Sequence, residues 1–223
     1  SAMTERGSGE ILKSMGALGL VAVIGTALLS GMSALTADRI AAQERRVVEQ
    51  QLGQILPPDR YDNDLLNDRF SFRDEAHFPK GQTVTAYRAR MGDKPVAVIL
   101  RFDATRGYNG DIQLLAGILA DGGLAGVRVV THRETPGLGD GIEAQKSDWV
   151  FGFDGRSLVN PAGTGWAVKR DGGVFDQFTG ATITPRAVVE AVHAALEYHD
   201  SRRAALYAAP SGTHTPEAGK EKG

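Results

Sequence analysis

Ile112-Gln113-Leu114-Leu115-Ala116-Gly117-Ile118-Leu119-Ala120-Asp121-Gly122-Gly123-Leu124-Ala125-Gly126-Val127-Arg128-Val129-Val130 carries the clearest structural signal in the chain. Two apolar runs, 112–119 and 124–130, flank Asp121-Gly122-Gly123, a cluster that reverses a chain because glycine reaches backbone angles closed to other residues. The pair predicts a β-hairpin. Towards the N-terminus, 95–102 and 83–89 are further strand-like runs, set off by Met91-Gly92-Asp93-Lys94 and Arg106-Gly107-Tyr108-Asn109-Gly110. Connections this short join antiparallel neighbours, since parallel ones need a crossover of roughly a dozen residues or more. The prediction is a mainly antiparallel sheet.

Towards the C-terminus, 131–142 is Gly-rich and polar and reads as a loop outside the core. Trp149-Val150-Phe151-Gly152-Phe153 reads as a core patch, and 166–169 as one more short strand. A helix follows: Thr184 suits the N-cap, Pro185 the first helical position, and Val188, Val189, Val192, Ala195, Leu196 and His199 share one face. Packed across the sheet, that helix makes the fold class α+β. Residues 61–80 read as a polar, irregular connection, and 210–223, rich in Pro, Gly, Thr, Lys and Glu, as a disordered tail.

Residues 14–37 contain no charged side chain. That exceeds the roughly 20 apolar residues a membrane-spanning helix needs, whereas the apolar core of a cleaved signal peptide runs about 7–15. Ser30, Gly31, Ser33 and Ala34 imitate a cleavage region, so the signal peptide stands as the alternative. Gly16, Gly19, Ala22 and Gly25 would let another helix approach. Arg6 and Lys13 before the stretch and Arg39, Arg45 and Arg46 after it leave its orientation open. Good helix formers continue from 38 to 54, ahead of Pro57-Pro58. The expected organisation is a short N-terminus over 1–14, a transmembrane helix over 15–37, a helical extension and connector over 38–80, a folded domain over 81–209 and the tail over 210–223.

With 25 Lys and Arg against 27 Asp and Glu, the net charge of −2 argues against nucleic acid as a partner. The absence of cysteine removes disulfides, zinc–thiolate sites, iron–sulfur ligation and thiol nucleophiles. If the chain handles electrons, an organic cofactor carries them. His193 and His199 lie six apart on one helix, where a metal pair needs about four, and no Ser/His/Asp or paired-carboxylate arrangement is evident. No catalytic residue and no metal ligand is therefore predicted. Gly137-x-Gly139-x-Gly141 imitates half a dinucleotide fingerprint without the required strand–turn–helix context.

Asp176-Gln177-Phe178-Thr179-Gly180-Ala181-Thr182-Ile183-Thr184-Pro185 leads three hydroxyls and two small residues into the helix start. Unpaired amides and the positive end of the dipole suit a phosphate there. An ordinary Ser/Thr-rich cap accounts for the same residues.

Asp-x-x-(Ser/Thr)-Gly-Ala-Thr resembles the flavinylation motif of bacterial FMN-binding domains, with Thr182 in the place of the threonine that bears FMN through a phosphoester. Asp176, Thr179, Gly180 and Ala181 stand at the matching positions. His132-Arg133-Glu134-Thr135-Pro136-Gly137-Leu138-Gly139 and Lys169-Arg170-Asp171-Gly172-Gly173 resemble the same family. Motif order, length and one N-terminal span are similar to the G subunits of Rnf ion-translocating electron-transport complexes. The C subunits of sodium-pumping NADH:quinone oxidoreductases are the nearest rival, and an anchored, non-redox binding or assembly module is the alternative of another class.

The resemblance implies a single-pass inner-membrane protein, its main domain periplasmic, that carries covalent FMN within a complex coupling ferredoxin/NAD electron transfer to ion transport. The isolated chain would have no turnover of its own. Implied partners are integral-membrane and iron–sulfur subunits, membrane lipid, and a flavin transferase during maturation. In the 131–142 loop, Pro136, Gly137 and Gly139 would shape a turn presenting Leu138 to the flavin ring, with Glu134 and Thr135 bonding its edge. Thr184 would serve as the cap, and His132 beside this loop is the one histidine to watch.

Overall fold

Along 96–104, Val96, Val98, Leu100, Phe102 and Ala104 fall at every second position, the period of two that gives a strand two distinct faces. The computed structural model describes residues 15, 18–19, 22–26, 43, 45–209, 211 and 214–215. It divides into two units, 1–48 and 49–223. In the first, the described residues are helical. No helix among the described residues is long and apolar enough to cross a membrane, and most of the expected span, 15–37, lies outside them.

The second unit is built on a sheet of strands β1 (Arg69–Phe72), β2 (Val84–Met91), β3 (Lys94–Gly107), β4 (Gly110–Leu119) and β5 (Leu124–Thr131), all antiparallel to their neighbours and in sequential order. A two-residue strand, β6 (His214–Thr215), pairs parallel to β1 at the far edge. Apart from β6 and Ser211, the expected tail 210–223 lies outside the described residues. Helix α1 (Ile183–Ala208) lies across one face of the sheet.

On that face, Val98, Leu100, Phe102 and Ala104 of β3 and Ile112, Leu114, Ala116 and Ile118 of β4 are buried with Val188, Val189, Val192, Ala195 and Leu196 of α1. His199 is buried with them, as its place in the periodic pattern required. On the opposite face, Tyr87, Ala89, Ala97, Ile99 and Leu115 are also buried, as are Leu52, Ile55 and Leu56. Ile55 lies against Gly117, where a β-carbon would come within 2.3 Å of its Cγ2.

Three local expectations are corrected. Within 61–80 stands β1, whose Phe70 and Phe72 turn inward while Arg69 stays exposed. Four residues are too few for a periodic signal, but Phe72 stacks on Tyr198 with centroids 4.6 Å apart, and that long-range contact holds the strand. Residues 166–169 form no strand: Val168 makes one isolated bridge to Phe175, and Lys169–Asp171 is a 3-10 turn. Trp166 and Val168 are apolar because they fill the core, not because they pair. Finally, 131–142 does enter the core, through Glu134, Asp140 and Ile142.

The C-terminal end of α1 is clamped to the sheet. Buried Arg88 donates to the carbonyls of Leu206 (3.4 Å) and Ala209, and Arg90 to that of Tyr207 (2.8 Å). Asp68 pairs with both arginines. Cations at the last carbonyls also meet the negative end of the helix dipole.

Candidate functional site

At the other end of α1, three segments far apart in sequence converge. Glu134, on the loop after β5, is 5% exposed, and its two carboxylate oxygens are both engaged. Oε1 accepts the backbone N–H of Asn109 in the β3–β4 turn at 3.0 Å, and Oε2 accepts the hydroxyl of Thr184 in the first turn of α1. Asn109 Nδ2 also donates to Thr135 Oγ1 at 3.0 Å. A buried carboxylate is tolerated only when hydrogen-bonded, so the three segments are fastened through this one group.

His132 orients it. The backbone N–H of Glu134 donates to His132 Nδ1 at 3.0 Å, so the ring proton sits on Nε2, which faces Glu143 Oε1 at 2.9 Å. Gly139 completes the packing: a β-carbon there would lie 2.9 Å from Glu134 Cβ and 3.1 Å from Thr184 Oγ1. The loop closes through the carbonyl of Thr135, which accepts from the amides of Leu138 and Gly139 at 3.1 and 3.0 Å.

The segment entering α1 is fixed independently. Trp149 Nε1 donates to the carbonyl of Asp176 at 2.7 Å, and Phe178 packs edge-on against the Trp149 ring, 5.5 Å between centroids, and over Gly141. The amide of Ala181 returns to the carbonyl of Phe178 at 3.1 Å. Gly180, at φ +80°, supplies the positive angle this turn needs.

Helix α1 therefore begins at Ile183, with Thr182 in the N-cap position and no side-chain cap bond. This corrects the expectation for Thr184: it lies inside the first turn, fully buried, its hydroxyl spent on Glu134 and not on a first-turn amide. Pro185 has no N–H and the amide of Arg186 bonds to the Thr182 carbonyl at 3.2 Å, which leaves the amides of Ile183 and Thr184 without an intrahelical acceptor.

Between the segments lies a pocket of about 160 Å³, lined by Tyr108, Glu134, Thr135, Leu138, Gly139, Gly180, Ala181, Thr182, Ile183 and Thr184. Of the residues singled out from sequence, eight are on this wall. Gly137, Thr179 and Asp176 are not: Gly137 shapes the loop, its amide bonding Asp140 Oδ1 at 2.8 Å, Thr179 is exposed in the turn, and Asp176 pairs with Lys169 at 2.6 Å. Glu134, expected at the ring edge, lines the pocket with both carboxylate oxygens already hydrogen-bonded, to Asn109 and Thr184. Tyr108, Asn109 and Ile183 went unrecognised, because a turn sequence gives no sign of the surface it faces. Tyr108, Leu138 and Ile183 are 68%, 49% and 45% exposed, an apolar rim around the opening. Among the described residues no cluster that could hold a metal ion is found.

Free helix-start amides beside Thr182, a Gly–Ala approach and an apolar rim fit a flavin mononucleotide. The class these features define is the FMN-binding domain, and the profile of that family matches residues 107–197, while that of the RnfG N-terminal region matches 3–55. The chain belongs to the family of G subunits of ion-translocating oxidoreductase complexes. It is 51% identical to the G subunit from Pseudomonas aeruginosa (strain UCBPP-PA14), over 86% of this chain and 89% of that one. It is 45% identical to the one from Cronobacter sakazakii, over 89% and 95%, and 42% identical to that from Shewanella loihica, over 90% and 95%. The crystal structure of Shewanella oneidensis NqrC is similar with a TM-score of 0.43 at 25% identity, covering 57% of this chain and 62% of that chain.

Proposed function

We propose that this chain is the FMN-carrying electron-transfer subunit of an Rnf-type ion-translocating oxidoreductase complex, with the flavin held by a phosphoester to Thr182. The observation that carries the reading is the convergence of the motif loop, the 131–139 loop and the β3–β4 turn on one pocket at the start of α1, with Thr182 on its wall. The amides of Ile183 and Thr184 would meet the phosphate. Leu138, Tyr108 and Ile183 would hold the ring against the domain while leaving it open to a redox partner. Bound FMN supplies one- or two-electron transfer; the residues position it and set its surroundings. The family's name supports a membrane complex as the setting. In this reading residues 15–37 anchor the chain, the domain is periplasmic, a flavin transferase loads it, and integral-membrane and iron–sulfur subunits are its neighbours.

The test is intact and peptide mass spectrometry of protein produced with and without a flavin transferase. The expected result is a mass increment matching FMN less water, present only with the transferase and mapped to Thr182. An unmodified Thr182 peptide from a transferase-positive strain, or FMN on Thr179 or Thr184, would overturn the assignment.

A further inference from the structure

The wall of the pocket holds one carboxylate, Glu134, and no basic side chain. Neighbouring cations are engaged elsewhere. Arg186 is bidentate to Asp171 at 2.6 and 3.0 Å, Lys169 pairs with Asp176, Arg106 with Glu190, and Arg133 faces a different cavity beside Asp103 and Asp111. Both oxygens of Glu134 accept hydrogen bonds, one of them from the first turn of α1. A negative group thus stands beside the first turn of α1, next to the free amides that a phosphate would use.

From this we infer that the site accepts a singly charged phosphodiester and rejects the free mononucleotide, with Glu134 as the residue that sets the discrimination. The inference rests on the FMN reading above and deepens it. A phosphate monoester such as free FMN carries about −1.5 to −2 at neutral pH, whereas a phosphate esterified to both a threonine and a ribityl chain carries only about one negative charge. Facing a fixed carboxylate in a partly desolvated pocket without a countercation, the second charge is repelled. The covalent bond is then what holds the cofactor, and a flavin that loses it leaves. Neutral riboflavin, with the same ring and no phosphate, should bind the empty pocket better than FMN does.

The experiment uses full-length protein made without a flavin transferase, its intact mass confirming that no flavin is attached. Riboflavin and FMN are titrated in separately, with binding read from quenching of flavin fluorescence at low and high ionic strength. Riboflavin should bind roughly tenfold or more tightly than FMN at low salt, and added salt should narrow the gap. In Glu134→Gln, which can still accept from Asn109 and donate to Thr184 Oγ1, the two flavins should bind within about threefold of each other. FMN binding as tightly as riboflavin, a gap indifferent to salt, a gap unchanged in a folded Glu134→Gln protein, or no quenching by either flavin would each overturn the inference. The salt series on the unaltered chain tests the charge discrimination by itself, and the variant tests its assignment to Glu134. Attachment at Thr182 is judged separately, by the peptide masses of the loaded protein.

Discussion

Two threonines two positions apart stand in different surroundings, and the difference is measurable. Thr184 is buried and donates its hydroxyl to a buried carboxylate, so Thr184→Val orphans Glu134 Oε2 and should cost about 1–3 kcal/mol, read by urea denaturation. Thr182 makes no cap bond, so Thr182→Ala should change stability by less than about 0.5 kcal/mol while abolishing the fluorescent flavin band on a denaturing gel. If the two variants were equally destabilised, the assignment of roles would be wrong. The motif singled out Thr182 in the sequence, and the residue lines the pocket. The role of Thr184 was not legible there, because its partner lies 50 residues away and local rules for helix starts pointed to a cap. Asn109 was hidden for a like reason, 25 residues from Glu134.

Among the elements, the strands joined by tight turns were readable from apolar runs and glycine placement, since short connections leave little choice of partner. β1 and the 3-10 turns were not, being too short for periodicity and held by contacts with distant residues. The 131–139 loop behaves as a packed element: Gly139→Ala would push a methyl into Glu134 and Thr184 and should lower stability by about 1–3 kcal/mol and loosen the pocket, seen as a drop in melting temperature. Helix α1 carries a pH sensitivity of its own. His199 is 1% exposed with both ring nitrogens unpartnered, and burial, aided by Arg203, lowers its pKa from 6.5 to about 4. The unfolded chain therefore takes up this proton first as pH falls. The contribution is intact above pH 6.5 and is lost progressively down to about pH 4, by about 3 kcal/mol in all. His199→Phe should flatten that part of a stability-versus-pH curve, and an unchanged slope would show that another group is responsible.

For the whole molecule, the expected arrangement puts the 49–223 unit outside the cytoplasmic membrane, tethered through residues 15–37. Protease added to spheroplasts should then degrade the domain while leaving a cytoplasmic control protein intact; protection of the domain would rule the arrangement out. This level was the least legible from periodicity, since the charges flanking the apolar stretch are balanced and only family likeness supplied a direction.

Strands β1 to β4 each pair with the next in sequence, whereas the pocket needs Asn109, Glu134 and Thr184 brought together by docking of α1. Sequence-local pairings form early in folding and long-range closures late. A refolding chain should accordingly protect its β3–β4 amides from hydrogen exchange before those at the start of α1, which pulse labelling can time. An enzyme that recognises the finished loop would meet its target only on chains that have completed this last step, making the attached cofactor a stamp of correct folding.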